Sequence, residues 1–402
     1  MVAIATCLEA KVNYVEPLAI CVQARAPVLL WGAPGIGKSA AIAALARALG
    51  EPCETVIASI REPSDFAGLP VITHDHDALD RAAGADVPCV ALAPPSWALR
   101  LRAAGRGLLF LDEINTAPPA TQAALLRVVL ERTVGDIALG PDVAVVAAAN
   151  AAEDAAGGWD LAAPLANRFT HLQCSADPSA WIDGTISGWP PPRPKKLPES
   201  WRGGVPAMQL VVAGFVRKMP HLLHCLPKEE SQRGRAWPSP RSWTMAATLL
   251  AASKAAGASL DTEMALVSGA VGDGAALQLI EWQRALDLPD PEDLLRDPSS
   301  YSPDDRDDRT FVVLSSVVQA ALSKLDVARW RAAWHVLGAA GRGKKSDIGA
   351  VPARKLAEVQ SHAPGISFAD PVVAEQLRPY ADMLATYDST IKSQPQPQKA
   401  KA

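Results

Sequence analysis

Short apolar runs without polar alternation are interleaved with stretches of helical spacing along the first half of the chain. Val28-Leu29-Leu30-Trp31 is the first run. A Gly/Pro loop follows it, then Ser39 to Leu49 with Ala and Leu at helical spacing, then Gly50 where a helix C-cap glycine sits. Thr55 to Ile60 predicts a second strand. Leu108 to Leu111 is wholly apolar and ends in Asp112-Glu113, and Val143 to Ala148 is another such run, ending at Asn150. Trp97 to Leu101 and Thr121 to Leu130 predict helices, the latter with Ala124, Leu125, Val128 and Val129 on its apolar side. Strands that are apolar throughout are covered on both faces, which is the signature of a parallel sheet between helical layers. Residues 1–175 therefore read as an α/β core, with a short helical lead-in over 1–25.

The pattern changes afterwards. Residues 61–95 are loop-rich, with β-like patches such as Val71-Ile72. A Pro- and Trp-rich linker is expected over 176–204, from Trp189-Pro190-Pro191-Pro192 to Trp201. Residues 205–345 show helical spacing, as in Val313, Val317, Ala321 and Leu325, and predict a mostly helical second domain. Asp304 to Asp308 reads as a solvated charged loop. Residues 346–385 carry no recognisable role, and 386–402, with Gln394-Pro395-Gln396-Pro397, predict a disordered tail.

Composition narrows the class. The 402 residues are 49% hydrophobic and 20% charged, a globular balance with no apolar stretch of membrane-spanning length. Glu9, Lys11 and Glu16 break up the N-terminus, so no signal peptide is read and the expected compartment is the cytoplasm. A net charge of −4 disfavours binding nucleic acid through bulk charge. The six cysteines, Cys7, Cys21, Cys53, Cys89, Cys174 and Cys225, form no C-x-x-C pair and read as reduced, mostly buried thiols. The eleven tryptophans read as core or interface anchors.

The chemistry lies in the first half. Gly32-Ala33-Pro34-Gly35-Ile36-Gly37-Lys38-Ser39 fits G-x-x-x-x-G-K-[ST] between a strand and a helix, with Ala40 next in that helix. Its glycines let backbone N–H groups converge on phosphates, and the helix N-terminus adds a favourable dipole. Lys38 can reach the β- and γ-phosphates, and Ser39 can ligand Mg²⁺. These features predict a P-loop NTPase core, with ATP and Mg²⁺ as its expected ligands. Asp112 at its strand end suits the Mg²⁺ water shell, and Glu113 can polarise an attacking water. Asn150, ending the next strand, can orient that water or touch the γ-phosphate. Arg168, in Leu165-Ala166-Asn167-Arg168-Phe169, and Arg241, in Trp237-Pro238-Ser239-Pro240-Arg241-Ser242-Trp243, can each neutralise transition-state charge. On chemistry alone each reads first as a surface ion-pair residue.

The order of P-loop, Asp-Glu strand end, strand-end Asn, Asn-Arg-Phe and Ser-Pro-Arg resembles the AAA+ ATPases, in particular the MoxR-like branch. Arg61-Glu62-Pro63-Ser64-Asp65-Phe66-Ala67-Gly68-Leu69-Pro70 and Asp112-Glu113-Ile114-Asn115-Thr116-Ala117-Pro118 are similar to segments of that branch, and the resemblance spans about residues 20–250. It implies that the helical domain is an AAA+ lid. Asn150 matches sensor 1, Arg168 the arginine finger acting on a neighbouring subunit, and Arg241 sensor 2 acting within its own subunit. It also implies a homo-oligomeric ring, usually a hexamer, in which an insert at about 66–93 and a hairpin at Thr133–Asp142 face a pore or partner. Such ATPases usually work with a von Willebrand factor A-type protein, remodelling or metallating a target. No Asp-x-Ser-x-Ser motif occurs here, so that module is expected on a separate protein. The linker and the region after about 300 depart from the branch. A nucleic-acid motor or loader of the helicase-related AAA+ branch is the alternative reading, and a nucleotide-gated scaffold the third.

Other candidates read as structure. His221-Leu222-Leu223-His224-Cys225 could present three metal ligands but reads as an amphipathic lid helix. His74-Asp75-His76 reads as solvated loop, Gly269 to Gly274 as a turn between lid helices, and Arg100, Arg102 and Arg106 as a solvated helix face. Arg127 and Arg132 are reserve candidates for a trans-acting arginine.

Overall fold

A computed structural model describes residues 14–73, 89–150, 159–361, 367–368 and 370–384. The first elements follow the predicted alternation: α1 (Val15–Ala24), β1 (Val28–Trp31), α2 (Lys38–Leu49), β2 (Cys53–Ile57), α3 (Ser64–Ala67), β3 (Leu69–Thr73) and β4 (Cys89–Ala93). Next come α4 (Ser96–Ala104), β5 (Arg106–Asp112), α5 (Pro119–Glu131), β6 (Thr133–Val134), β7 (Ile137–Ala138), β8 (Asp142–Ala149), α6 (Ala163–Ala166) and β9 (Thr170–Gln173). The remainder is helical: α7 (Pro178–Ser187), α8 (Val205–Lys218), α9 (Glu230–Arg233), α10 (Pro240–Ala255), α11 (Leu260–Val271), α12 (Asp273–Arg284), α13 (Pro291–Arg296), α14 (Asp307–Ser323), α15 (Val327–Arg342), α16 (Ser346–Ala357) and α17 (Pro371–Leu377). None of the described helices is long and apolar enough to cross a membrane.

Five strands form a parallel sheet in the order β2-β5-β8-β1-β9. Successive side chains point to opposite faces, so each apolar strand feeds two cores. Leu29, Trp31, Leu109, Leu111, Val143 and Val145 pack on one face with Phe66, Trp97, Leu125 and Val128. Val28, Leu30, Leu108, Phe110, Ala144 and Val146 pack on the other with Leu18, Ile42, Leu45 and the lid residues Leu249 and Leu266. The expected parallel α/β core with helices on both faces, followed by a mostly helical region, is the observed architecture.

The second strand, expected over 55–60, begins earlier, at Cys53, and ends at Ile57. Its neighbour β5 ends at Asp112, opposite Ile57, so pairing stops there and Ala58–Ile60 turns as 3₁₀. The loop-rich 61–95 region contains α3 and an antiparallel β3–β4 pair, whose Leu69, Val71, Ile72 and Val90 are exposed. His74-Asp75-His76 and Cys7 lie outside the described residues, as does the predicted tail. The hairpin at 133–142 is present as β6 and β7.

The helical region divides differently from an end-to-end lid. One compact unit comprises 1–205 with 221–280, and a second comprises 206–220 with 281–402. In the second unit, Trp330 and Trp334 pack into a core with Val313, Val317, Ala321 and Leu337, while Leu325 falls beyond the end of α14. Asp304 to Asp308 is not a free loop. Arg309 pairs with Asp304, and Asp308 accepts from Trp282 Nε1, Arg306 and Lys218 while α14 starts at Asp307. These donors hold the Asp308 carboxyl far below the usual carboxylate range, against the desolvation that burial imposes.

Candidate functional site

The site forms where three neighbouring strands, β5, β8 and β1, end together. Parallel α/β sheets place ligand sites at these carboxyl ends, because the loops that leave them face one crevice. β1 ends at Trp31, and Gly32 N–H continues the ladder onto Ala149 O at 3.2 Å. A Cβ on Gly32 would sit 2.5 Å from the Cys174 carbonyl oxygen, so only glycine allows this approach. Gly35 and Gly37 take left-handed φ of 79° and 95° with open space where a Cβ would be. The loop therefore bends around an open cradle ahead of α2, whose first turn carries Lys38, Ser39 and Ala40.

Lys38 is buried, and its Nζ donates to Gly32 O at 2.6 Å, Ala33 O at 3.0 Å and Asn150 Oδ1 at 2.9 Å. Ser39 Oγ donates to Asp112 Oδ2 at 2.8 Å, which joins the ends of α2 and β5. A hydroxyl and a carboxylate oxygen side by side suit a hard, oxygen-seeking cation such as Mg²⁺. Glu113 follows Asp112 with a left-handed φ of 55°. For a residue with a Cβ this costs on the order of 1–2 kcal/mol. Asp112 Oδ1 accepts from Glu113 N, and Ala148 O accepts from Ile114 N, which hold the turn. The carboxylate of Glu113 accepts from Ser59 Oγ at 2.6 Å.

The Asn150 backbone is gripped by Asn115. Asn115 Nδ2 donates to Asn150 O at 2.9 Å and Asn115 Oδ1 accepts from Asn150 N at 3.2 Å. Asn115 is buried, so this reciprocal pair fixes the Asn150 backbone, while the Asn150 side-chain Oδ1 is held by Lys38. The five strand-end and P-loop residues expected to act together, Lys38, Ser39, Asp112, Glu113 and Asn150, thus converge. Ser59 and Asn115 complete the group without having been read from the sequence. Their roles depend on partners 54 and 35 residues away.

Arg168 and Arg241 lie elsewhere. Arg168 precedes β9, whose Thr170 N–H bonds to Pro27 O ahead of β1, whereas the P-loop leaves the other end of β1. Asn167 Nδ2 donates to Trp237 O at 3.0 Å and its Oδ1 accepts from Ser239 Oγ at 2.7 Å. Ser239 also caps α10 through a capping box with Ser242. The Ser-Pro-Arg segment is thereby fastened beside Arg168. Burial and the nearby charge of Arg241 both push the Arg168 guanidinium pKa down. Arg168 Nη1 donates to Pro164 O, and its buried Nε has no hydrogen-bond partner among the described residues.

The minor candidates resolve as follows. His221 to Cys225 is not a helix. Pro220 ends α8, only Pro220–Leu222 turns as 3₁₀, and no group of metal-binding side chains occurs among the described residues. The turn expected over Gly269 to Gly274 is confined to Gly272, with φ of 85°, because Gly269 lies in α11 and Gly274 in α12. Arg100 makes a two-pronged pair with Glu54 at 2.7 Å, and Arg106 belongs to β5 rather than to a helix. Arg132 is tied to Pro141 O and Arg25 O, which removes it as a reserve finger, and Arg127 pairs with Glu131. Of the described cysteines, Cys21 and Cys174 are buried, Cys53 is half-buried and Cys225 is exposed.

Residues 27–169 match the family model of the AAA domain, dynein-related subfamily. The match begins at β1 and ends at Phe169, so it contains the whole P-loop and strand-end group and Arg168. This segment is an AAA-type nucleotide-binding domain, and at that general level an ATP-hydrolysing enzyme is supported. No curated protein matches the chain. Among solved structures, one similar chain is a protein of Cytophaga hutchinsonii described as a "putative ATPase", at 17% identity and TM-score 0.36 over 66% of this chain and 78% of that one. Another is a full-length MCM homolog of Methanopyrus kandleri, at 17% identity and TM-score 0.34 over 66% of this chain and 54% of that one.

Proposed function

We propose that the protein is a Mg²⁺-dependent ATPase of the MoxR-like kind, working as a homo-oligomeric ring that remodels or activates a partner protein. The observation that carries the hydrolytic part is the convergence of Lys38, Ser39, Asp112, Glu113 and Asn150 at adjacent strand ends. The open cradle at Gly35 and Gly37 gives phosphate oxygens access to backbone N–H groups and to the start of α2. Lys38 exchanges carbonyl and amide partners for phosphate oxygens, a stronger charge-assisted bond. Asn150, its backbone held by Asn115, then presents its side-chain amide to the γ-phosphate. Ser39 and Asp112 would hold Mg²⁺, which supplies charge neutralisation on the phosphates. Glu113 accepts the proton of the attacking water once its carboxylate turns from Ser59.

The arginines are read as a pair. The charge of Arg241 is near enough to push the Arg168 guanidinium pKa down, and the buried Arg168 Nε has no partner among the described residues, so an anionic group would be favoured there. The two arginines flank the start of β9 and not the P-loop end of β1. We read both Arg168 and Arg241 as acting on the nucleotide of a neighbouring subunit, in place of the expected role of Arg241 within its own. A site finished by its neighbour makes the ring, usually six-membered in this branch, a condition for turnover. A von Willebrand factor A-type protein is the proposed partner, with nucleic acid not required.

The test is ATP turnover per subunit against protein concentration with Mg²⁺. Specific activity should rise and saturate as subunits assemble. Glu113→Gln and Arg168→Ala should each lower kcat by about 100-fold or more while nucleotide still binds. Flat activity in a protein that is monomeric by mass would refute the shared site. Stimulation by DNA and by no protein would favour the nucleic-acid motor instead.

A further inference from the structure

Trp31 is the residue directly before the P-loop, and it carries more than a core contact. Its indole Nε1 donates to His171 Nδ1 at 2.8 Å, and the two rings lie 6.0 Å apart at 13°. The other imidazole nitrogen, Nε2, lies 2.9 Å from Ala166 O. Because Nδ1 accepts from an indole that can only donate, the ring proton must sit on Nε2, which donates to the carbonyl. The pattern admits one tautomer and one ring orientation. His171 is buried, and desolvation, with Arg235 nearby, pushes its pKa down to about 4. It is therefore neutral at physiological pH.

The far end of this chain of bonds is the arginine corner. Ala166, Asn167 and Arg168 are consecutive. The first accepts from His171, the second grips Trp237 O and Ser239, and the third is the arginine. On the near side, Arg235 sets its guanidinium 3.7 Å from the centre of the Trp31 ring. One buried line thus runs from the P-loop strand through a single-tautomer imidazole to the corner that holds Arg168 and Arg241. Buried hydrogen bonds with one permitted pattern shift together, because leaving any donor unpaired costs about 1–3 kcal/mol.

We propose that Trp31 and His171 are positioning residues that couple the P-loop of a subunit to the arginine corner the same subunit presents to its neighbour. Occupancy of one site then sets arginine placement at the next. The inference rests on the ring reading above.

Trp31→Phe is the sharpest probe, since it keeps an aromatic ring under Arg235 and deletes the indole donor, at the cost of a small cavity that the thermal midpoint reads separately. His171→Leu removes both polar links, and His171→Gln retains one acceptor and one donor. The measurements are kcat, KM and Hill coefficient for ATP, nucleotide affinity, and the thermal midpoint. Trp31→Phe and His171→Leu should lower kcat by about 10- to 100-fold, the scale of a small misplacement of a reacting group. The Hill coefficient should fall towards one while nucleotide affinity stays unchanged, and His171→Gln should recover turnover. A loss that is purely structural would lower the midpoint and nucleotide affinity together. If His171→Leu does not fold, Trp31→Phe and His171→Gln carry the test. Wild-type kcat and cooperativity in Trp31→Phe overturn the coupling. A wild-type protein with no ATP turnover refutes the proposed function, which is a separate outcome.

Discussion

At the residue scale, the P-loop and strand-end groups were legible because their pattern is local. Gly32 to Ser39 must be contiguous for one loop to wrap a phosphate, and Asp112 and Asn150 stand where apolar runs stop. The supporting groups were not legible. Ser59, Asn115, Asn167 and His171 act through partners 35 to 140 residues distant, which only the fold supplies. His171 gives this hidden layer a measurable signature. Its folded pKa of about 4 lies below the ordinary value of 6.5. Between those values the unfolded chain takes up a proton and the folded one does not, so stability falls as pH drops through that window. The loss amounts to on the order of 3 kcal/mol near pH 4. Urea midpoints recorded from pH 7 to pH 4 should fall less steeply in His171→Gln than in wild type. Equal slopes would place the acid sensitivity in other groups.

At the scale of elements, apolar runs located strands and helices well, but their ends were set by neighbours. β2 stops where β5 stops, and the segment expected to carry a lid helix at 221–225 is broken by Pro220. The Ser-Pro-Arg segment was visible as a helix start, yet not that its Ser239 cap also fastens Asn167. Close approach between elements is equally hidden, as at Gly269 in α11. A Cβ there would run into the His171 carbonyl oxygen and lie 2.9 Å from Thr170 Cγ2. Both belong to β9 and cannot retreat as a flexible side chain can. Gly274, in α12, meets nothing within 4 Å. Gly269→Ala should therefore destabilise by roughly 1–3 kcal/mol, whereas Gly274→Ala should be neutral or stabilising by up to about 1 kcal/mol. Thermal midpoints of the two variants decide this, and a matched response would show that α11 shifts freely over β9.

At the scale of the molecule, the sequence suggested domains laid end to end, but α8 belongs with helices far beyond it in the chain. Its Phe215 packs on Trp282 at 5.6 Å between ring centres. Gly214 faces Val312 so closely that a Cβ would collide with it, Arg217 stacks over Phe311, and Lys218 pairs with Asp308. No local pattern could reveal this, since the spacing of apolar residues in α8 reports only that one side is covered, not by what. A cut after Ile280, which looks like the end of the first unit, should leave that side bare. The truncated chain is expected to bind a hydrophobic dye and to associate. A chain lacking both 281–402 and 206–220, rejoined by a short Gly/Ser bridge, should remain monodisperse because it removes the second unit whole. Light scattering and dye fluorescence on the two constructions separate the cases. A well-behaved simple truncation would mean that α8 folds with the nucleotide-site unit, and that the division follows the chain after all.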